Sequence, residues 1–317
     1  MVRRLWFFLF LPGLLTGLVS GSFALEKVKL GSAVKMVPEY YLPVLTAEER
    51  GFWKENGLDV EWVPFASATA QVSAIAAGAI GIGIVGPDSP LAAAERGLPV
   101  VMVSELVPSY PFGLWVRADS PYRHVRDLKG ARIGATALGA TTHIMGRLIA
   151  AAQGMEKEVR FVGAGGVPQM VAGLRAGALE GVITRIGAIV DLKLAGQARE
   201  LASASDYLPK PWTDTIIFSR KDFAQNKPDV VRKILRAALQ ASDYMRKNPR
   251  GTMDKMKSFQ GLSEGAAKII YDAIPFTITG KLDRKAVENV RRLLIEYGLL
   301  SEKVPAVDEL FTNEYLS

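Results

Sequence analysis

The chain has 317 residues, 39 basic and 32 acidic side chains, a formal charge of +7 and no cysteine. The missing cysteine excludes a disulfide framework, thiolate metal sites and a cysteine nucleophile. An apolar fraction of 49% with 22% charged residues is that of a globular protein, and the length exceeds one ordinary core and suits two lobes.

The first element is a targeting segment. Arg3 and Arg4 precede an apolar stretch from Leu5 to Val19, broken by Pro12, Gly13 and Gly17, and Ser22-Phe23-Ala24 supplies small residues at a cleavage site. This three-part pattern predicts a secretory signal over residues 1–24, removed after Ala24. The alternative, a membrane anchor, is disfavoured because the apolar run falls short of the roughly 20 residues that span a bilayer. With no cysteine, lipid tethering is excluded. The expected location is therefore the periplasm, as a free monomer. Without Arg3 and Arg4 the charge becomes +5, and its lysines and arginines are interspersed with acids, as in Asp283-Arg284-Lys285. That pattern reads as a solvated surface and predicts no nucleic-acid partner.

Downstream the chain repeats itself. Leu30-Gly31-Ser32-Ala33 resembles Ile133-Gly134-Ala135-Thr136 at an offset of 103, and Val60-Glu61-Trp62-Val63 resembles Val159-Arg160-Phe161-Val162 at an offset of 99. Ile75-Ala76-Ala77-Gly78-Ala79-Ile80 resembles Leu174-Arg175-Ala176-Gly177-Ala178-Leu179, again at 99. Each match alone is weak; their common order and spacing indicate a duplication. In the first copy, strands are expected over 28–34, 58–63 and 80–85. Helices are expected over 43–56, stopped by Gly57, and from the Ser67 cap to about Ala77. In the second copy, strands are expected over 132–135, 158–162 and 181–184, with helices over 141–153 and 168–175. This alternation predicts parallel sheets with helices on both faces.

The rest reads as helical. Val230, Ile234, Ala237, Ala241 and Met245 share one helical face, and Val287, Val290, Leu294 and Tyr297 another. Two extended segments, Leu114–Val116 and Thr215–Phe218, are expected to cross between lobes. Lobe one would then comprise residues 25–115 and 216–317, and lobe two residues 116–215. Two lobes on two strands make a hinge and a cleft.

Several stretches resemble the nitrate/sulfonate/taurine group of ABC-transporter substrate-binding proteins (the NMT1/THI5-like, SsuA-like family), which also includes receptors for thiamine precursors. They are Ala47-Glu48-Glu49-Arg50-Gly51-Phe52-Trp53-Lys54-Glu55-Asn56-Gly57-Leu58-Asp59-Val60, Asp127-Leu128-Lys129-Gly130-Ala131-Arg132-Ile133-Gly134, Leu174-Arg175-Ala176-Gly177-Ala178-Leu179-Glu180-Gly181 and Val304-Pro305-Ala306-Val307-Asp308-Glu309-Leu310. The resemblance spans nearly the whole mature chain. It implies a type II periplasmic-binding fold, capture of a small solute and delivery to a membrane permease driven by an ATPase. The chain departs at Gly81, where an acid is usual, and at Thr184-Arg185, where many relatives place an acid and a proline.

In open α/β sheets ligands bind beyond the carboxyl ends of the strands, so the post-strand loops carry the candidate site. Tyr40 and Tyr41 can stack on a ligand or hydrogen-bond to it, or one of them packs against the helix behind. Ser67 is more readily a cap than a contact, and Thr69 follows it. Gly86 and Asp88 open a helix, with Asp88 either a cap or a contact to a cationic or hydroxylated ligand. Leu138, Gly139, Thr141 and Thr142 form a small-residue loop at a helix start, similar to the family's anion-binding segment. His143 beside it is the weaker candidate. Gly166 closes the Gly163-Ala164-Gly165-Gly166 run, and Thr184 precedes Arg185. The Arg185 guanidinium can grip a carboxylate or sulfonate with two parallel bonds, or make a surface salt bridge. Phe112, Trp212 and Asp214 stand where cleft walls are expected.

The aromatics and the small-residue loop together suggest a small organic anion: a sulfonate, a carboxylate or a related heterocycle. No cofactor and no metal is expected. An enzyme is disfavoured, since the chain has only His124 and His143 and lacks the cysteine cluster of thiamine-pyrimidine synthases. Two further alternatives stay open: a receptor for a thiamine-pyrimidine-like precursor, and a sensor that presents ligand to a receptor kinase.

Overall fold

The computed structural model describes residues 24–32, 39–109 and 112–316; residues 1–23, with the expected signal segment, lie outside them, as do residues 33 and 34 of the first expected strand. Two five-stranded sheets organise the chain. In the first, β2 (Leu58–Pro64), β1 (Glu26–Ser32), β3 (Ile82–Val85), β10 (Thr215–Arg220) and β4 (Val100–Val107) lie side by side in that order. In the second the order is β7 (Arg160–Gly163), β6 (Arg132–Ala135), β8 (Gly181–Arg185), β5 (Phe112–Arg117) and β9 (Ala198–Ser203). The sequence repeat is therefore a structural one. β1 pairs in parallel with β2 and β3, as β6 does with β7 and β8. The fold is the expected two-lobed α/β one.

The sheets are mixed rather than wholly parallel. β10 runs antiparallel to both β3 and β4, and β5 to both β8 and β9. The physical reason is the direction of entry. The other strands end at the gap between the sheets. A segment arriving from the opposite lobe starts at the gap and must run away from it. The expected crossing strands are thus not the crossings themselves. All of β5 pairs within the second sheet, so the crossing lies before Phe112 and not at residue 115. Thr215, assigned above to lobe two, pairs with Val107 of the first sheet. The chain therefore changes lobes between Val107 and Phe112 and again between Ser203 and Asp214.

The helix expected over 43–56 is two: α1 (Leu42–Glu49) and α2 (Phe52–Glu55). Between them Gly51 adopts φ +78°, which no helix can propagate and which costs glycine least. α3 (Ala68–Ala76), α4 (Asp88–Glu95), α5 (Thr141–Ala152), α6 (Val167–Arg175) and α7 (Ile186–Leu194) follow their strands as the repeat requires. α8 (Lys221–Asn226), α9 (Pro228–Lys247), α10 (Pro249–Gln260), α11 (Glu264–Ala273) and α12 (Arg284–Glu296) complete the chain. Among the described residues no helix is long and apolar enough to cross a membrane.

The apolar stripes bury largely as expected: Val230, Ile234, Ala237, Ala241 and Met245 of α9 and Val287, Val290 and Leu294 of α12 are all at most 3% exposed, whereas Tyr297 falls just beyond the end of α12 and is only part-buried. Two helices also join the lobes. Leu293 of α12 is buried in the second lobe's core with Ile144 and Met145 of α5. Arg147 Nη1 donates to the Tyr297 carbonyl at 3.1 Å, with its guanidinium 4.8 Å over the Tyr297 ring. In return, Val190 of α7 is buried in the first lobe's core with Ala266, Ala267 and Ile270 of α11.

Glu105 of β4 is the outlying acid of the first lobe. Burial pushes its carboxyl from 4.5 to about 7; Asp283 and Asp214 push the same way, and the Thr213 and Thr277 hydroxyls oppose them. The folded state thus holds this proton more tightly than the unfolded chain. The stability this confers is complete below about pH 4.5 and is lost as pH rises through 7. Glu105→Gln should remove the loss and raise stability at pH 8 by at most about 3 kcal/mol. Urea unfolding at pH 5.5 and pH 8 checks this; a variant with the parent's pH dependence would refute it.

Candidate functional site

The carboxyl ends of β3, β6 and β8 converge on one cavity of ≈ 640 Å³ between the sheets. Its walls include Tyr40, Tyr41, Ser67, Gly86, Asp88 and Asp214 from the first lobe. From the second come Phe112, Thr141, Gly166 and Arg185, and Trp212 stands in the segment between. Local chemistry explains why helices begin here. Ser67 Oγ accepts from Ala70 N at 3.1 Å and caps α3. α6 carries Pro168 as its second residue, after the Gly166 cap, in the first turn where the missing N–H costs nothing. The starts of α3, α5 and α6 thus lie at the cavity wall, a setting that favours negative charge.

Arg185 is the central cation. It does not hold its fork open for a ligand: Nη1 donates to Asp214 Oδ1 at 2.8 Å and Nη2 to Oδ2 at 3.0 Å. The guanidinium lies 4.9 Å from the Tyr40 ring centre and 4.4 Å from that of Phe112. The two-bond grip expected for a ligand acid is made inside the protein, between lobes, because Asp214 is anchored to the first sheet by Asp214 N to the Val107 carbonyl at 3.2 Å. Asp88 also reaches across: Thr141 Oγ1 donates to its Oδ2 at 3.4 Å. Burial between the lobes raises the Asp88 carboxyl above its usual range; its own backbone N–H opposes this, Asp214 adds to it, and Thr141 and Arg185 oppose it. Gly86 makes room for this carboxylate, since a Cβ there would stand 2.6 Å from Asp88 Oδ1.

The two tyrosines divide their roles. Tyr41 is 1% exposed, stands 6.1 Å edge-on from Trp62 and donates to the Ile84 carbonyl at 3.3 Å. It is largely core, whereas Tyr40 lies against Arg185 in the cleft. Six candidates do not line the cavity: Thr69, Leu138, Gly139, Thr142, His143 and Thr184. Thr69 is exposed on α3. Leu138, 62% exposed, and Gly139 sit on the outer part of their loop, and Gly139 N donates to His143 Nδ1 at 2.9 Å. His143 meets Phe161 edge-on at 5.1 Å and is a packed residue. Thr184 is 2% exposed inside β8, its carbonyl accepting from Trp115 Nε1 at 3.1 Å.

Thr142 is buried too. Its Oγ1 accepts from Thr136 N and shares a hydrogen bond with Thr136 Oγ1, both at 2.9 Å. The hydroxyl closes the loop rather than facing a ligand. Thr142→Val should cost about 1 kcal/mol of stability while leaving Thr141 at the wall; thermal melting checks this, and an unchanged midpoint would exclude the loop-closing role.

The sequence reading missed several wall residues: Thr136, Met145 and Leu208 of the second lobe, and Val290 and Leu294 of α12. The α12 pair was legible only as a core stripe, since nothing local indicates that the helix also closes the floor of the cavity.

Known proteins share this architecture. A family model described as NMT1/THI5 like matches residues 39–252. The taurine-binding periplasmic protein of Escherichia coli is 28% identical over 286 residues, 83% of each chain. The formylaminopyrimidine-binding protein of Halalkalibacterium halodurans is 26% identical over 250 residues, 76% of this chain and 73% of that one. The solved structure of the periplasmic aliphatic sulphonate binding protein SsuA from Escherichia coli superimposes with a TM-score of 0.78 at 17% identity, covering 92% of this chain and 99% of that one.

Proposed function

The chain belongs to the NMT1/THI5-like family, and from that premise we propose that it is a periplasmic receptor of an ABC importer. It captures a small organic anion, a sulfonate, a carboxylate or a related heterocycle, between its lobes and presents it to a permease–ATPase complex. One observation carries the reading: a 640 Å³ cavity lies where the strand ends of a duplicated sheet meet, walled by both lobes. Contacts made by both lobes at once favour the closed form, so ligand binding and closure are one equilibrium. A cavity of this size suits an organic molecule of drug-like scale or smaller. The names of the relatives, taurine-binding, sulphonate-binding and formylaminopyrimidine-binding, lie in the same chemical range.

The Arg185–Asp214 pair does not conflict with an acidic ligand. The helix starts at Thr141 and Gly166 supply backbone donors whose charge preference is independent of that guanidinium. The role is binding and release without turnover. The test is calorimetric titration of the mature chain with small sulfonates, carboxylates and pyrimidines, with chromatography of the mixture afterwards. Saturable binding with the ligand recovered intact, together with ligand-dependent ATP hydrolysis by the reconstituted transporter, is the expected result. Conversion of a bound compound would overturn it.

A further inference from the structure

We infer that the first lobe carries a second binding site at its outer end, an open pocket in which Lys27, Lys29 and Lys227 hold the carboxylates of a polyacid. The inference is independent of the receptor reading and comes from comparing the two halves of the chain. Strand register equates them residue by residue: Leu30 pairs with Ile82 in the first sheet as Ile133 pairs with Gly181 in the second. Lys29 therefore corresponds to Arg132, and Gly81 to Glu180. In the second lobe the cation has its acid. Glu180 accepts from Arg132 Nη2 at 2.7 Å, from its Nε at 3.1 Å and from its backbone N at 2.7 Å. In the first lobe the cation is kept and the acid is missing. Nor is there room for one, since a Cβ at Gly81 would stand 2.2 Å from the Phe223 ring.

What stands there instead is a pocket of ≈ 600 Å³. It lies away from the cleft, because Gly81 precedes β3 and the other end of β3 reaches the cleft at Val85. Its charged walls are four bases, Lys27, Lys29, Arg220 and Lys227, against one acid, Asp222. Arg220 Nε takes that acid, meeting Asp222 Oδ1 at 2.7 Å. Lys29 Nζ reaches Glu61 only at 3.8 Å, with both side chains more than half exposed. Among the described residues Lys27 and Lys227 form no ion pair; Lys227 Nζ lies 5.9 Å from the centre of the Phe223 ring. Clustered cations in a concave site raise the local concentration of anions. Lysine meets a carboxylate as a point charge and needs no fixed fork. One exposed contact of this kind contributes little, so capture requires several carboxylates on one molecule. A free tricarboxylate has that chemistry, and so has an acidic stretch of another chain.

The test is calorimetric titration of the mature chain with tricarballylate and with a hexaglutamate peptide, at low ionic strength where exposed charges are least screened. At least one should bind saturably. Lys27→Gln with Lys29→Gln should weaken that binding about tenfold or more, and both positions are exposed, so the fold should survive. Lys157→Gln with Arg160→Gln removes the same charge from exposed positions of the second lobe and should leave the affinity unchanged. Tighter binding of the peptide would assign the site to a protein partner, and tighter binding of tricarballylate to a free acid; either supports the pocket. No saturable binding by either probe overturns the inference. So does binding that survives the Lys27 and Lys29 changes, or that falls equally in the second-lobe variant. None of these outcomes touches the receptor reading, which is tested at the cleft.

Discussion

Arg185→Ala is expected to lower the unfolding free energy by about 3 kcal/mol and to weaken ligand capture. The size follows from what stays behind. Asp214 has a side chain 9% exposed and Arg185 one 19% exposed, and the bond between them joins the lobes. Removing one partner of a buried pair leaves an uncompensated charge, which costs roughly 3–5 kcal/mol; the partial exposure of Arg185 sets the lower end. The variant also empties the space between the Tyr40 and Phe112 rings. Arg185→Lys should recover only part of the loss, since an ammonium can neither fork onto both Asp214 oxygens nor stack as a plane. Replacing both partners, as Arg185→Met with Asp214→Leu, should come close to the parent stability. Urea unfolding of the set decides it: an Arg185→Ala protein within about 0.5 kcal/mol of the parent would show that the pair contributes no more than a surface contact.

Leu293→Ala should cost about 3 kcal/mol, in the range for truncating a buried leucine. Unusually, the loss falls on the joint between lobes. The residue is 4% exposed, sits on α12, and is buried among the second lobe's Ile144, Met145 and Leu148, while its neighbours Val290 and Leu294 belong to the first lobe's core. Removing it weakens the closed arrangement more than either lobe's interior. The ligand-free variant should therefore show a larger radius of gyration by solution scattering, with the parent value restored at saturating ligand. A variant that is destabilised yet scatters identically would assign Leu293 to folding alone.

Much of the architecture was legible in the sequence because it rests on local and periodic signals. The duplicated segments near Leu30 and Ile133 gave the common strand order, the spacing of Val230 to Met245 gave the buried stripe of α9, and Ser67 marked the start of α3. Strands β4 and β9 escaped notice because neither lies in a repeated segment. The break at Gly51 escaped because a glycine inside an apolar pattern does not announce its φ. In the candidate site, the loops were legible and the side-chain roles were not. Thr141 and Thr142 are adjacent and alike in sequence, yet one faces the cavity and the other closes its own loop onto Thr136. Helical geometry turns neighbouring side chains about 100° apart, and only the surroundings decide which direction is the cleft.

What the sequence alone determined is the plan: two α/β halves, a cleft at their strand ends and the segments that line it. Hydrophobic period and turn chemistry are written within short windows of chain. What the tertiary structure decided is charge and direction. Arg185 meets Asp214 across the gap, Asp88 meets Thr141, and the strands entering each sheet run opposite to their neighbours. Those outcomes depend on which groups closure of the two lobes brings within a few ångströms, and a pairing between lobes leaves no trace in the spacing of either partner along the chain.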